Sequence, residues 1–72
     1  MRHSKDDARW IKEQLDRLPY RYRKQAEEGY SAAFTEHYDA EPEDHKKENA
    51  ARRAANDRLR KYVDKVLAML EG

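Results

Sequence analysis

Two prolines and two glycines are all that interrupt this chain, and Pro19 and Pro42 set how it can fold. Proline lacks the amide hydrogen that a helix interior or a sheet ladder needs, and it turns the preceding residue away from helical geometry. Between and beyond these breaks, apolar residues recur three and four apart, and no segment shows the alternation of a half-buried strand. The chain is therefore expected to be all-α: two shorter helices and a long C-terminal one, in a single domain over residues 1–72. Helix 1 is expected over about residues 4–18, helix 2 over about 19–38, a loop over about 39–43 and helix 3 over about 43–70.

Ser4 stands as N-cap of helix 1 with Asp7 three residues on, an S-x-x-D arrangement close to a capping box. Asp6 and Asp7 also suit the positive end of the helix dipole. The apolar side of helix 1 is Trp10, Ile11, Leu15 and Leu18. Pro19 fits the first turn of helix 2, where its missing N–H costs nothing. In helix 2, Tyr22, Ala26, Tyr30, Ala33, Phe34 and His37 or Tyr38 form one aromatic-rich face. Gly29 interrupts that face at a cost of about 1 kcal/mol relative to alanine, which a close helix–helix approach would explain. The stretch DAEPE, residues 39–43, is the clearest break in the chain. A helix-turn-helix around Leu18–Tyr20 is disfavoured, because the usual short turn with glycine is missing.

Helix 3 carries an unusually wide apolar stripe. With Leu59 at zero, Tyr62, Val63, Val66, Leu67, Met69 and Leu70 fall between roughly −80° and +80°. That is enough surface for two neighbours: helices 1 and 2 of the same chain, or one of them and a second copy. Upstream the line continues through His45, Glu48, Arg52 and Asn56 beside Ala51 and Ala55, so the seam turns polar and small. Projection into water is the simpler reading. The other is a close-packed polar contact in which Arg52 or Asn56 sets register.

The need for a partner follows from size. A chain of 72 residues buries only about 60% of the surface its unfolded form exposes. Without cysteine, neither disulfides nor cysteine-based zinc sites can help. Tight packing or oligomerisation remains. The composition, 43% charged with a mean hydropathy of −1.40, is polar enough to raise disorder. The net charge of only +1 and the helical spacing of the apolar residues argue for a folded chain. Residues 1–24 carry eight Lys/Arg against four Asp/Glu (+4), residues 25–48 two against eight (−6), and residues 49–72 six against three (+3). This basic–acidic–basic order suits complementarity within the fold or between copies, whereas a dedicated nucleic-acid binder more often shows a net basic excess. No apolar run approaches the roughly 18 residues of a membrane span, and a cytoplasmic protein is expected.

No constellation points to a reaction. His3, His37 and His45 have Glu36, Asp39, Asp44 and Glu48 in the neighbourhood. However, His45 and Glu48 reverse the Glu-x-x-His order of di-iron helices, and no second copy of the pair exists. Ser4 and Ser31 lack a nucleophile elbow, and glycine-rich phosphate loops are absent. No catalytic residue, metal or cofactor is expected. Arg53, Asp57, Arg60 or Lys61, and Asp64 alternate in sign as a solvated ladder on helix 3. Arg58, Lys61 and Lys65 form the one cleaner basic ridge.

The stretches LPYRYRKQAEEGYSAAF and ENAARRAANDRLRKYV resemble small helical proteins from the early regions of lambdoid phages and prophages. The resemblance covers roughly residues 10–66 and is one of general pattern, carrying no functional residue over. It implies an accessory protein that binds a host or phage protein in the bacterial cytoplasm. The leading expectation is thus a non-enzymatic interaction module, joined as a homodimer through Leu59, Tyr62, Val66, Met69 and Leu70, with Tyr20, Tyr22 and Arg23 facing another protein. The rival is a small DNA-binding regulator using Arg58, Lys61 and Lys65, joined by Arg53 and Arg60.

Overall fold

The computed structural model describes residues 1–72 and contains helices and turns only. A 3-10 turn, Lys5–Asp7, leads into α1 (Ala8–Asp16); α2 spans Tyr20–Ala40; a second 3-10 turn, Asp44–Lys46, feeds α3 (Lys47–Glu71). Ser4 is the N-cap of the first turn, its hydroxyl accepting from the Asp6 amide at 3.3 Å. Asp7 does not close a capping box; its carboxylate is drawn away to α3, as described below. Pro19 lies just outside α2 rather than in its first turn, with ψ at 146°, extended. At the other end α2 continues to Ala40, two residues past the expected stop, and breaks only at Glu41, which takes the extended geometry a residue before proline prefers. The Lys47 ammonium then caps the exposed carbonyls of that last turn, donating to Tyr38 and Glu41.

Helices α2 and α3 form a long antiparallel hairpin. Gln25 meets Tyr62 and Tyr30 meets Asn56 across it, which fixes the register. Ala51 and Ala55 have no exposed surface and sit in one cluster with Ala33 and Phe34. The upstream half of α3 is therefore packed against α2 and does not project into water. Small side chains there let the helices approach while Tyr30, Phe34 and Tyr38 stack along α2 with ring centroids 6.4 and 6.3 Å apart.

The short α1 and the turn after it close one side of the hairpin with Ile11 and Leu18, both buried. Leu18, Leu59 and Val63 are among the most completely buried side chains, each worth about 1.5–3 kcal/mol on transfer from water. The wide stripe of α3 thus has its two neighbours, and both are helices of the same chain. Ahead of α1, the Arg2 guanidinium lies 5.4 Å from the Phe34 ring and 4.6 Å from that of Tyr38, and its backbone amide donates to Ser31. The result is a rod of 43 × 20 × 15 Å.

Candidate interaction surface

The best-organised polar group in the molecule joins all three helices. Arg52 grips Asp7 with both arms of its guanidinium, at 2.7 and 3.0 Å, and the Asn56 amide donates to the same carboxylate at 3.1 Å. Tyr30 in turn donates to the Asn56 oxygen at 2.5 Å. Hydrogen bonding from Arg52 holds the Asp7 carboxyl below its ordinary value and Arg52 above its own. Burial, helped by the Asp7 charge, pushes the Tyr30 phenol up to about 12. Perturbed groups gather at reactive sites, but they gather in structural ion pairs as well. Here every buried side-chain donor and acceptor has a partner within the fold, as in a structural ion pair.

No three His, Asp or Glu side chains come together as metal ligands. His37 is exposed on α2, and His45 faces only Glu43, at 3.8 Å. The basic ridge of α3 is partly neutralised: Lys61 and Arg60 both reach Asp57, at 2.8 and 3.4 Å, and the Lys61 bond lowers the Asp57 pKa. Arg53 and Asp64 take no part in this ladder. Arg58 lies over Gly29, so what approaches that glycine is a guanidinium and not the backbone of α3. Lys65 is exposed.

The five residues expected to join two copies do not share one open face. Leu59 and Val66 are 2% and 3% exposed and belong to the chain's own core. Tyr62 packs at the core edge with its hydroxyl on Gln25. Only Met69 and Leu70 are exposed, at 56% and 43%. Among the expected partner-facing residues, Tyr22 packs on the core edge and carries the Arg21 guanidinium 5.0 Å from its ring. Tyr20, in contrast, is 85% exposed. Arg23 braces the start of α2 by donating to the Leu18 carbonyl at 3.1 Å, and its guanidinium lies 5.9 Å from the Tyr20 ring.

Members of both sets lie at one end of the hairpin. Tyr20 opens α2 and Leu70 lies in the last turn of α3; the Gln25–Tyr62 pairing sets Tyr20 level with Leu67. Met69 and Leu70 follow within about one further turn of helix. Of the four large apolar side chains exposed anywhere, Tyr20, Met69 and Leu70 share this end. Beside them Tyr20, Arg21, Arg23, Lys24 and Glu27 line an open concavity of about 710 Å³. Residues 17–24 include four Arg/Lys and no Asp/Glu, a charge of +4. None of these four enters an ion pair, as is also true of Arg2, Lys5, Lys47, Arg53, Arg58 and Lys65, while Glu27 lines the same concavity and Asp16 feels the charge of Arg23. At the opposite tip, residues 36–50 carry six carboxylates against Lys46 and Lys47, a net −4.

No helix is long and apolar enough to cross a membrane. No family model, curated protein or solved structure matches the chain.

Proposed function

We propose that this chain is a non-enzymatic interaction module that binds another protein through the open end of its helical hairpin. The observation that carries the reading is the exposure of Tyr20, Met69 and Leu70 at one end of the three-helix frame. Tyrosine brings large contact area at small entropic cost, and methionine adapts to irregular surfaces, which is why both suit protein contacts. Leu59, Tyr62 and Val66 of the stripe are committed to the chain's own core, so a different protein fits better than the homodimer expected from it. The resemblance to phage early-region proteins supplies a setting: an accessory factor acting on a host or phage protein in the bacterial cytoplasm.

The test compares wild-type protein with a Tyr20→Ser/Met69→Ser/Leu70→Ser variant as bait in a bacterial lysate, after circular dichroism shows equal helicity. A protein held by the wild type and released by the variant supports the reading. Identical capture by both overturns it. A labelled DNA duplex added in sedimentation velocity at low salt addresses the rival regulator. A protein-dependent shift that disappears with salt, and on charge reversal of Lys61 and Lys65, would put nucleic acid in the partner's place.

A further inference from the structure

We infer that the partner presents an acidic amphipathic segment to this end, with apolar anchors flanked by carboxylates. The inference rests on the interaction-module reading and names the chemistry of its partner. Two properties meet at the open end, and an occupant must answer both. The first is a local excess of positive charge, four Arg/Lys with only Glu27 beside them in the concavity and Asp16 near Arg23. Arg17, Arg21, Arg23 and Lys24 lie within residues 17–24, a stretch with no carboxylate of its own and no ion pair to one elsewhere. Such a local excess of cations favours approach of an anionic surface and disfavours cationic ones. The second is apolar area, from Tyr20, Met69 and Leu70, which charge alone does not cover.

Other occupants answer only one of these. A duplex lying along the rod would meet the net −4 of residues 36–50, and docked at the end it would leave Met69 and Leu70 against phosphate. The acidic tip of a second copy has the right charge. It offers no large exposed apolar side chain, since those are Met1, Tyr20, Met69 and Leu70. A helix with apolar residues at i, i+3, i+4 and i+7 and glutamates on its flanks supplies both the anchors and the charge.

The probe is a fluorescein-labelled synthetic peptide of that pattern, titrated into the full chain and followed by anisotropy. Three controls accompany it: a scramble of identical composition, polyglutamate, and a labelled single-stranded oligonucleotide. Binding is expected to weaken about tenfold or more in Arg21→Glu/Lys24→Glu, and by a similar factor in Tyr20→Ala/Met69→Ser. All four positions are exposed, so the variants keep the core. The scramble should bind at least about tenfold less tightly than the patterned peptide. Equal binding of the scramble or polyglutamate would overturn the inference, because charge alone would then suffice. Tighter binding of the oligonucleotide would overturn it in favour of nucleic acid. If the peptide does not bind while the lysate comparison still shows a variant-sensitive partner, the stated chemistry falls and the module reading stands. Failure of both removes both.

Discussion

Asp7 is where the three helices are tied together, and its neighbours decide what its loss would do. Its carboxylate receives three hydrogen bonds from Arg52 and Asn56, and its side chain is 12% exposed against 31% for Arg52, so the pair is partly withdrawn from water. Removing one partner of such a pair strands the other's charge. Asp7→Ala is expected to lower stability by about 1–3 kcal/mol, between the values for surface and buried pairs. A double-mutant cycle with Arg52→Ala should recover a coupling of about 1 kcal/mol or more in urea unfolding. A coupling near zero would mean that Asp7 acts only at its own turn. Sequence singled out Arg52 and Asn56 as residues able to set register but not their partner, because a contact 45 residues away leaves no local spacing to detect. Gly29 is the opposite case. Its helical backbone needs no glycine, and an added Cβ would meet Arg58 Nε at 3.2 Å, part of an exposed side chain that can swing aside. Gly29→Ala should therefore stabilise the fold by roughly 0.5–1 kcal/mol, seen as a raised urea midpoint with unchanged m. A lowered midpoint would show that Arg58 is held where it lies.

At the scale of elements, α1 depends on the hairpin and the hairpin on α1. Nine residues are too few for an independent helix. What holds α1 in place is Ile11 and Leu18, exposed by 3% and 1%, with the Asp7 pair at its start. Leu18→Ala should cost about 2–4 kcal/mol, much of the roughly 4–10 kcal/mol available to a chain of this length. Trp10 fluorescence, which reports on α1, and far-ultraviolet circular dichroism, dominated by α2 and α3, should shift together. Separate transitions would mean that the hairpin survives alone. The number and order of helices were legible because Pro42 and the 3–4 spacing of apolar residues act locally. Their ends were less so. Whether Pro19 sits outside α2 or in its first turn turns on one backbone angle, and α2 reaches Ala40 because nothing before Glu41 resists helical geometry. The apolar stripe of α3 was also legible, but not its division. Leu59 and Val66 turn inward while Met69 and Leu70 run past the cover of α1, an outcome set by where a short helix stops and not by the stripe. Tyr20 and Leu70 are fifty positions apart in sequence, and only the antiparallel closure of the hairpin brings them to one end.

For the whole molecule, a net charge of +1 conceals a rod that is basic at one end and acidic at the other, so acid stability depends on where each depressed carboxylate sits. Asp7, Asp16 and Asp57 are all held below their ordinary value by hydrogen bonds from a cation. Asp16 and Asp57 are bonded to Lys12 and Lys61 of their own helices, on exposed faces, where such pairs add little. Asp7 alone is bonded across elements. A carboxyl whose pKa is lower folded than unfolded contributes stability that is complete above the unfolded value, about 3.9. That contribution is lost as pH falls through the lower folded value. Wild-type protein should therefore lose a larger share of its urea midpoint between pH 6 and pH 3 than Asp7→Asn, which has no charge to lose at position 7. Because the pair joins the turn before α1 to the middle of α3, the loss should appear equally in Trp10 fluorescence and in helicity. Equal losses in the two proteins would assign acid sensitivity to the exposed pairs and leave Asp7–Arg52 without a role in holding the rod together.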